Sequence, residues 1–307
     1  MSVAPGAVAG AKAISGTAFA TLLLIALMMG ANHVAARVAF NHGVDVATAV
    51  VFRSLVTASV IVLLLSAQRV RVRFSTRHKQ MLPAIGLLIG IQSLCLYSAV
   101  ARLPVALALL AFNTYPVWTA FWSWTLYRKR PEPALLVAMP VILFGLALAL
   151  DVLGAASGLG ASGQWARIGA GVGFALAAAG TFGLALVVTQ HEAGDVDGRV
   201  RTVTTMMMAG LVSLAMVAAQ GGFHLPQAAA GWGGLAALTF LYGTAFTIMF
   251  TVLPRLGVVG NSAIMNVEPV FALVLAWLIL GQAIAPVQVV GALIVVGAVM
   301  VLGMRKR

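Results

Sequence analysis

Residues 102–118 read RLPVALALLAFNTYPVW, and residues 255–271 read RLGVVGNSAIMNVEPVF. The two stretches match at an offset of 153 residues: each opens on Arg-Leu and then has a valine, an asparagine and Pro-Val at equal spacing. Trp124 and Trp277 extend the match. Each copy predicts an apolar helix before the Arg-Leu turn and a second apolar helix after it, with a proline near the middle of the second. The chain is therefore internally duplicated, with a breakable helix at corresponding places in both halves.

The composition excludes a water-soluble globule. Of the 307 residues, 62% are hydrophobic and 8% are charged, whereas a soluble domain carries about 25% charged residues. Apolar runs of about 20 residues, the length that crosses roughly 30 Å of hydrocarbon as a helix, recur along the chain. The short alternating segments of a membrane β-barrel are absent from the sequence. The pattern predicts ten membrane spans, at residues 17–37, 45–66, 81–101, 105–127, 133–152, 167–190, 201–220, 231–253, 259–280 and 286–303.

The basic residues indicate how these spans are oriented. The net charge is +12, and the Lys and Arg residues lie between predicted helices rather than on one folded face. With the N-terminus in the cytoplasm, the cytoplasmic side holds 15 basic residues and the opposite side holds three, Arg37, Arg102 and Arg167. Arg53 lies within span two. Because Lys and Arg collect in cytoplasmic loops, both termini are predicted to be cytoplasmic, and the charge needs no nucleic acid partner.

The first apolar stretch is interpreted as a span and not as a cleaved signal peptide. Residues 17–36 contain no clear small-x-small cleavage site followed by a polar mature start. The repeat also needs this helix to complete its first half. The single cysteine, Cys95, excludes an intramolecular disulfide and a Cys-ligated cluster.

Five spans in each half determine the predicted architecture. We assign residues 1–153 to a first five-helix repeat, the Gly/Ala/Ser-rich residues 154–166 to a linker and residues 167–307 to a second repeat. An odd number of crossings inserts the second repeat upside down relative to the first. The predicted fold is an all-α integral membrane protein, with ten transmembrane helices as two inverted five-helix repeats around a central cavity. Such repeats with interrupted helices are typical of transporters that bind their substrate at the repeat interface.

The repeated prolines are candidate hinges. Pro116 and Pro269 lie near the middle of predicted spans, where a proline removes one backbone hydrogen bond and bends the helix. Asn113 and Asn266 precede them by about one turn, and their amides can satisfy the freed carbonyls. One interpretation is a structural kink with its own polar patch. The other is a hinge beside a cavity that offers carbonyls and amides to a polar substrate.

Aromatic side chains are candidates to line that cavity. Phe112, Tyr115 and Trp118 share one face of span four, and Tyr242 and Phe246 lie one turn apart in span eight. All five are predicted near mid-membrane depth, away from the interfacial belts where Trp and Tyr usually collect. They are either ordinary core and lipid-facing residues or a surface for a flat apolar or cationic group.

Glu268 is the only acidic residue predicted at mid-membrane depth. An intramembrane acid is a functional hypothesis by default, and three roles remain open: a proton-linked switch, a counter-ion for a substrate amine, or a protonated structural acid. Asn32 and His33 interrupt span one at mid-depth, where His33 is either a hydrogen-bonded packing residue or a ligand. Gln92 and Thr181 are candidates to face the same space, although Ser and Thr are also common contacts between helices.

Motifs of other chemistries are absent from the sequence. It contains no Gly-x-x-x-x-Gly-Lys-[Ser/Thr] of an ATP-driven domain, no His-Glu-x-x-His and no Gly-x-Ser-x-Gly. The five histidines are scattered, so we expect neither a metal site nor a cofactor. An enzyme in the membrane needs a catalytic pair at the water–lipid boundary, and a channel needs a polar stripe along several helices. Neither pattern is present, and we expect no enzymatic activity.

Several segments together resemble a known family. They are residues 30–37 (GANHVAAR), 52–53 (FR), 266–270 (NVEPV), 280–282 (LGQ) and 291–294 (GALI), with the two Arg-Leu turns. This set is similar to the drug/metabolite transporter superfamily in its EamA-type ten-helix form. In that family a Glu-Pro segment of the second half is followed by a Gly-acid turn and a Gly-rich last helix. Here Gln282 stands in place of the usual acid.

Within the superfamily, the chain most resembles the YddG-type bacterial exporters of aromatic amino acids, which also extrude methyl viologen. That resemblance rests on overall length, on residues 30–33 (GANH) and on residues 113–118 (NTYPVW). It implies a central cavity bounded by helices of both halves, a peripheral last helix in each half and alternating access without ATP.

The expected function is export of amino acids, aromatic ones above all, and related small metabolites across the bacterial inner (plasma) membrane. We expect facilitated transport by a monomer in the lipid bilayer; a homodimer and proton coupling are the alternatives. The alternative function is a sugar, nucleotide-sugar or cationic-drug carrier of the same fold. The predicted substrate-binding residues are Asn32, His33, Gln92, Phe112, Asn113, Tyr115, Trp118, Thr181, Tyr242, Phe246, Asn266 and Glu268, with Pro116 and Pro269 as hinges.

Overall fold

The computed structural model of the chain describes residues 16–69, 74–130, 133–252 and 267–304. Within these residues the chain forms eleven α-helices and no β-strand. The helices are α1 (Gly16–Asn41), α2 (Val46–Ala67), α3 (Thr76–Arg102), α4 (Val105–Phe112), α5 (Tyr115–Tyr127), α6 (Pro133–Ala149), α7 (Gly160–Glu192), α8 (Gly198–Ala219), α9 (Ala229–Thr251), α10 (Glu268–Leu280) and α11 (Pro286–Met304).

Seven segments of the described chain are long and apolar enough to cross a membrane. They are α1, α2, α3, α4 together with α5, α7, α8 and most of α9. Three shorter apolar helices add to them: Leu136–Ala149, Glu268–Leu280 and Pro286–Val301. The chain is therefore a helical, multi-span membrane protein. The ninth predicted span is described only from residue 267 onward, so Arg255 and Asn266 lie outside the described residues.

Side chains and glycines at helix ends explain several boundaries. Asp45 caps α2 by accepting hydrogen bonds from two backbone N–H groups of its first turn. α10 ends at Gly281, whose φ of 64° is a left-handed conformation that favours glycine. Gln282 follows, and its Oε1 accepts a hydrogen bond from the Val105 N–H at 3.1 Å. The glutamine that stands in place of the family's acid therefore satisfies a free donor at the start of α4.

The fourth predicted span is interrupted, not merely bent. The turn Asn113-Thr114 separates α4 from α5, and the Thr114 hydroxyl donates to the Ala111 carbonyl at 2.8 Å. Pro116 is the second residue of α5, where its missing N–H leaves no helical bond unmade. Pro269 has the corresponding place in α10. Because a proline at this position begins a new helix, the fourth predicted span has two separate helices, whereas the sequence predicts one bent helix.

Helices from opposite halves of the chain contact one another more than helices of the same half do. The most extensive contacts join α3 to α7, α1 to α9, α2 to α8 and α6 to α11. α10 packs against α1 and α4, and α5 packs against α7. The largest apolar core surrounds α4, whose residues 105–111 are all buried. α6 and α11 contact mainly each other, which places them at the edge of the bundle.

Candidate functional site

Arg53 is a buried cation inside the helix bundle. It lies in α2 and is only 3% exposed. Its Nη2 donates to Ser93 Oγ of α3 at 2.8 Å, and its Cζ lies 4.0 Å from the ring centre of Tyr242 and 4.7 Å from that of Tyr97. No ion pair within the described ranges includes Arg53. The two rings stabilise the positive charge without neutralising it.

Tyr97 connects this arginine to α1. Its buried hydroxyl donates to Asn32 Oδ1 at 3.0 Å, and its ring centre lies 5.5 Å from that of His33. Asn32 is buried as well, and its Nδ2 has no hydrogen-bond partner among the residues that the structure describes. Because buried polar atoms are nearly always hydrogen-bonded, an unpaired amide here indicates a place where water or a ligand binds.

His33 and Glu268 join α1 to α10. The His33 Nε2 lies 3.3 Å from Glu268 Oε1; the histidine is buried, whereas the glutamate side chain is 21% exposed. The two helices approach closely because Gly30 has no side chain. A Cβ at this position would lie 3.1 Å from both the Glu268 carbonyl oxygen and the Ala272 nitrogen. The glycine therefore brings the carboxylate within reach of the histidine.

These five side chains form one continuous group, which we call the polar cluster: Arg53, Tyr97, Asn32, His33 and Glu268. It runs from α2 through α3 and α1 to α10, and so across both halves of the chain. One end carries a guanidinium and the other a carboxylate. The cluster thus offers an anion site and a cation site in the interior of the protein, where few water molecules screen either charge.

Aromatic side chains adjoin the arginine end of the polar cluster. Tyr242 lies beside Arg53, its ring centre is 4.5 Å from that of Phe246, and its hydroxyl contacts the Met206 sulfur at 3.7 Å. Gln92 belongs to the same end, because its Oε1 accepts a hydrogen bond from the Ser93 hydroxyl at 3.4 Å. The structure therefore brings three of the predicted residues in α3 and α9 to the buried cation.

The aromatic residues of the interrupted span form a second group. Phe112 and Tyr115 pack with Phe182 of α7, at ring-centre distances of 5.4 and 5.2 Å to that phenylalanine. Trp118 also faces α7: a Cβ on Gly183 would lie 2.9 Å from the Trp118 Cβ. These rings pack around α7, whereas the rings of Tyr97 and Tyr242 pack around Arg53. The predicted aromatic surface is thus divided between two places in the bundle.

The remaining predicted residues have separate positions. Asn113 is buried in the turn between α4 and α5, and its Nδ2 has no hydrogen-bond partner in the described part of the chain. The Thr181 hydroxyl donates to two carbonyls of its own helix, those of Ala177 and Ala178. This is the common back-bonding of a helical threonine. Asn266, as noted, lies outside the described residues.

The comparisons with known proteins identify the family. The sequence profile of the EamA-like transporter family matches residues 16–150 and again residues 169–304. The chain belongs to the EamA-like transporter family. The two matches also confirm the internal duplication that the repeated Arg-Leu and Pro-Val segments predict.

Among solved structures, one crystal structure superposes on this EamA-family protein with a TM-score of 0.62. The match covers 94% of this chain and 99% of the other, at 19% sequence identity, and so it shows a shared fold alone. No curated protein matches the chain. Membership of this family shows that the protein is a membrane transporter. The substrate has to be inferred from the geometry of the site.

Sequence analysis misses several residues of the site in this EamA-family protein. Arg53 is not among the predicted substrate-binding residues, although a basic residue well inside a predicted span is a signal of function. Tyr97 and Ser93 carry no such signal, since a tyrosine or serine in an apolar helix is common. Phe182 is one apolar residue among many in α7.

Proposed function

We propose that this protein exports amino acids, aromatic ones in particular, and related small metabolites across the bacterial inner membrane. The observation that carries the proposal is the polar cluster. Its terminal charges, Arg53 and Glu268, are complementary to the carboxylate and the ammonium group of a zwitterion. Tyr242 and Phe246 adjoin the arginine end and provide flat apolar surface for a side chain.

Arg53 is the proposed ligand of the substrate carboxylate. A guanidinium removed from water costs several kcal/mol unless a partner of opposite charge or several hydrogen bonds compensate it. Among the described residues, the compensation comes from the Ser93 hydroxyl and from Tyr97 and Tyr242, which are neutral groups, and the Arg53 Nε has no partner there. A carboxylate supplies the missing charge and fits the guanidinium fork with two parallel hydrogen bonds.

Glu268, with His33, is the proposed ligand of the substrate amine. Its side chain is more exposed than the rest of the polar cluster, so an arriving ammonium group can reach it. Its contact with the His33 Nε2 involves the Oε1 atom and leaves carboxylate lone pairs for further donors. The Asn32 amide, which has no partner among the described residues, belongs to the same cluster and offers another donor to the carboxylate of the substrate.

The pattern of helix contacts supports a two-fold relation between the repeats. If α1, α2 and α3 exchange roles with α7, α8 and α9, the pair α3–α7 becomes α9–α1, and the pair α3–α8 becomes α9–α2; all four pairs are observed. The pairs α2–α8 and α6–α11 map onto themselves. We propose two repeats, residues 1–153 and 167–307, related by an axis in the membrane plane and rocking around the polar cluster.

The remaining parts of the proposal concern topology and energy source. We propose that both termini are cytoplasmic, that the transporter works as a monomer and that it carries its substrate down a gradient, in the manner of the YddG-type exporters. The Lys and Arg count of the loops supports the orientation.

A binding experiment with three indole compounds tests the two ends of the polar cluster separately. Tryptophan carries both charges, indole-3-propionate only the carboxylate and tryptamine only the amine. We expect Arg53→Gln to weaken binding of tryptophan and indole-3-propionate about tenfold, the loss of one charge-assisted contact, without affecting tryptamine. Glu268→Gln should weaken tryptophan and tryptamine and leave indole-3-propionate unchanged. Calorimetry on the purified wild type and on both variants measures their affinities for the three compounds.

Arg128→Gln is the matched control, because it removes an exposed positive charge at the end of α5, away from the polar cluster. It should leave all three affinities unchanged. Equal weakening of all three ligands in the Arg53 and Glu268 variants would show that the variants damage the fold instead of removing one contact. No binding of any indole compound by the wild type would reject the aromatic substrate.

Transport in liposomes tests the energy source. The purified protein should pass tryptophan down its concentration gradient without an imposed pH difference. Uptake that occurs only with a pH gradient would reject facilitated transport in favour of proton coupling.

A cationic-drug carrier is the second candidate, because Glu268 and the aromatic pair Tyr242 and Phe246 suit a flat cation. The buried positive charge of Arg53 opposes it. Competition for binding separates the two hypotheses. Displacement of bound tryptophan by further aromatic amino acids, and not by a nucleotide sugar, fits the proposed substrate class, whereas binding of methyl viologen without binding of any amino acid fits a cationic-drug carrier.

A further inference from the structure

A cavity of about 480 Å³ opens at the end of the bundle where α1 and α3 terminate. This volume lies in the range of small-molecule sites. Its lining includes Arg37 of α1, Arg102 of α3 and Arg167 of α7. These are the three basic residues that the loop count assigns to the sparsely charged side of the membrane. The fold thus brings these three arginines, which lie far apart in the chain, to one cavity.

The cavity has an excess of positive charge. Asp151 is the one acidic residue in its lining, and both of its carboxylate oxygens accept hydrogen bonds from the backbone, from the Ala156 N–H at 3.1 Å and the Ser157 N–H at 2.8 Å. None of the three arginines takes part in an ion pair within the described residues. This carboxylate therefore holds a turn and makes no ion pair with an arginine within the described residues, and three positive charges face one negative charge.

The arginines are held in place by neutral groups. Arg37 Nη1 donates to the Val100 carbonyl at 2.7 Å, and its Nε is buried without a hydrogen-bond partner among the described residues. Arg102 Nη1 donates to the Ser98 carbonyl at 2.9 Å. Carbonyl oxygens orient these guanidinium groups but leave their charge unpaired. Arg167 is exposed in the second turn of α7 and also lines the cavity.

Two glutamines of the lining are already engaged. The Gln164 amide donates to the Leu150 carbonyl at 3.0 Å, and the Gln288 amide donates to the Ala149 carbonyl at 2.9 Å. The three arginines supply the positive charge of the cavity, and none of them makes an ion pair within the described residues. Several oriented guanidinium groups around one space form a site for carboxylate or phosphate oxygens.

We propose that this cavity binds a small oxyanion group, a carboxylate or a phosphate, at a site separate from the polar cluster. The site stands on its own residues and does not depend on which substrate the polar cluster carries. Its ligand is either a free anion from the aqueous phase or the headgroup of an anionic lipid, since both present the same oxygens to the arginines.

The test uses the full-length protein in phosphatidylcholine nanodiscs and inorganic phosphate as the probe, at constant ionic strength. Calorimetry should show saturable binding to the wild type, weakened about tenfold in Arg102→Gln and in Arg167→Gln, as the loss of one charge-assisted contact predicts. Arg128→Gln is the matched control, because it removes the same charge from the end of α5, where the cavity lining does not extend. It should bind phosphate as the wild type does.

Two results would overturn the proposal. One is the absence of saturable phosphate binding by the wild type. The other is equal weakening in Arg128→Gln and in the cavity variants, since this shows a diffuse effect of net charge. Thermal melting of each variant without phosphate verifies that it is folded, and Arg167→Gln is the safest variant because Arg167 is exposed.

A second arm identifies the source of the anion. The titration is repeated in nanodiscs that contain phosphatidylglycerol. If phosphate no longer binds, the lipid headgroup occupies the site; if phosphate binds with unchanged affinity, the ligand comes from the aqueous phase. Both results require the arginines and support an oxyanion site.

Discussion

Arg53 is held by weaker partners than a buried arginine usually has. Replacing a buried ion pair by apolar side chains of similar volume is often neutral or stabilises a protein by about 1–4 kcal/mol, because burying charge is costly. The same cost applies to a buried guanidinium that has no ion pair. Ser93 keeps its bond to Gln92 when the guanidinium is removed. We therefore expect Arg53→Met to melt at the same temperature as the wild type or higher, and to lose the stabilisation that tryptophan gives the wild type. A drop in melting temperature without ligand would instead make Arg53 a structural residue.

Asp151 gives the protein an acid-sensitive turn. Hydrogen bonds from the Ala156 N–H above all, and from the Ser157 N–H, hold the pKa of its carboxyl below the ordinary value, although burial opposes them. A lowered pKa in the folded state means that the carboxylate stabilises the fold at neutral pH, and that this contribution is lost as the pH falls through the folded value.

Asp151→Asn tests this turn, because asparagine tolerates the left-handed backbone at this position, where φ is 49°. The wild type should melt at a higher temperature than the variant near pH 7, and the difference should shrink below about pH 4 as the carboxylate takes up a proton. Thermal melting of both proteins from about pH 3 to about pH 7 measures it. A difference that stays constant over this range would mean that the charge of Asp151 is irrelevant to stability.

At the scale of helices, the break between α4 and α5 leads to a prediction about transport rate. Pro116→Ala supplies an N–H and allows the two helices to join into one. We expect the melting temperature to stay level or rise and the transport rate to fall about tenfold, equivalent to about 1.4 kcal/mol in the barrier. Initial rates of tryptophan efflux from liposomes give the comparison.

Pro140→Ala is the control for this change, because Pro140 lies inside α6, at the edge of the bundle. It should stabilise the helix and leave the transport rate unchanged. Equal rates for the wild type and Pro116→Ala would remove Pro116 from the mechanism.

The last helix offers a matched pair of glycines. A Cβ on Gly291 would overlap the Ala149 backbone nitrogen and the Gly145 carbonyl oxygen, whereas a Cβ on Gly297 would meet nothing within 4 Å. Gly291→Ala should therefore separate α11 from α6 and cost about 1–3 kcal/mol. Gly297→Ala should stabilise α11 by about 0.5–1 kcal/mol through helix propensity. Chemical unfolding in detergent compares the two, and equal effects would contradict the observed helix contact.

At the scale of the whole molecule, the orientation in the membrane is directly testable. In a Cys95→Ser background, Ala155→Cys places a thiol on the exposed turn beside the oxyanion cavity, and Arg128→Cys places one at the opposite end of the bundle. An impermeant maleimide added to intact cells should label position 155 alone. Labelling of position 128 alone would invert the proposed topology.

The sequence predicts much of this architecture because membrane helices are defined by local properties. Length, apolarity and proline positions locate the helices, and the residue 30–33 segment and Glu268 identify three of the five residues of the polar cluster. Arg53 and Tyr242 could not be paired in this way, since periodicity along one helix does not say which helix of the other half lies beside it. Phe182 was missed for the same reason: its role comes from the contact of α7 with α4 and α5.

The contact of each helix with a partner from the other half has a consequence for biogenesis. When the ribosome has delivered α1, α2, α3 and α6 to the insertion machinery, their principal partners α9, α8, α7 and α11 are still unsynthesised. The first half is therefore inserted into the bilayer before the helices that cover its inner surfaces are synthesised. Arg53 enters the bilayer before Tyr242, whose ring contacts its guanidinium in the folded protein. Assembly of this transporter is a late event, completed only as translation ends.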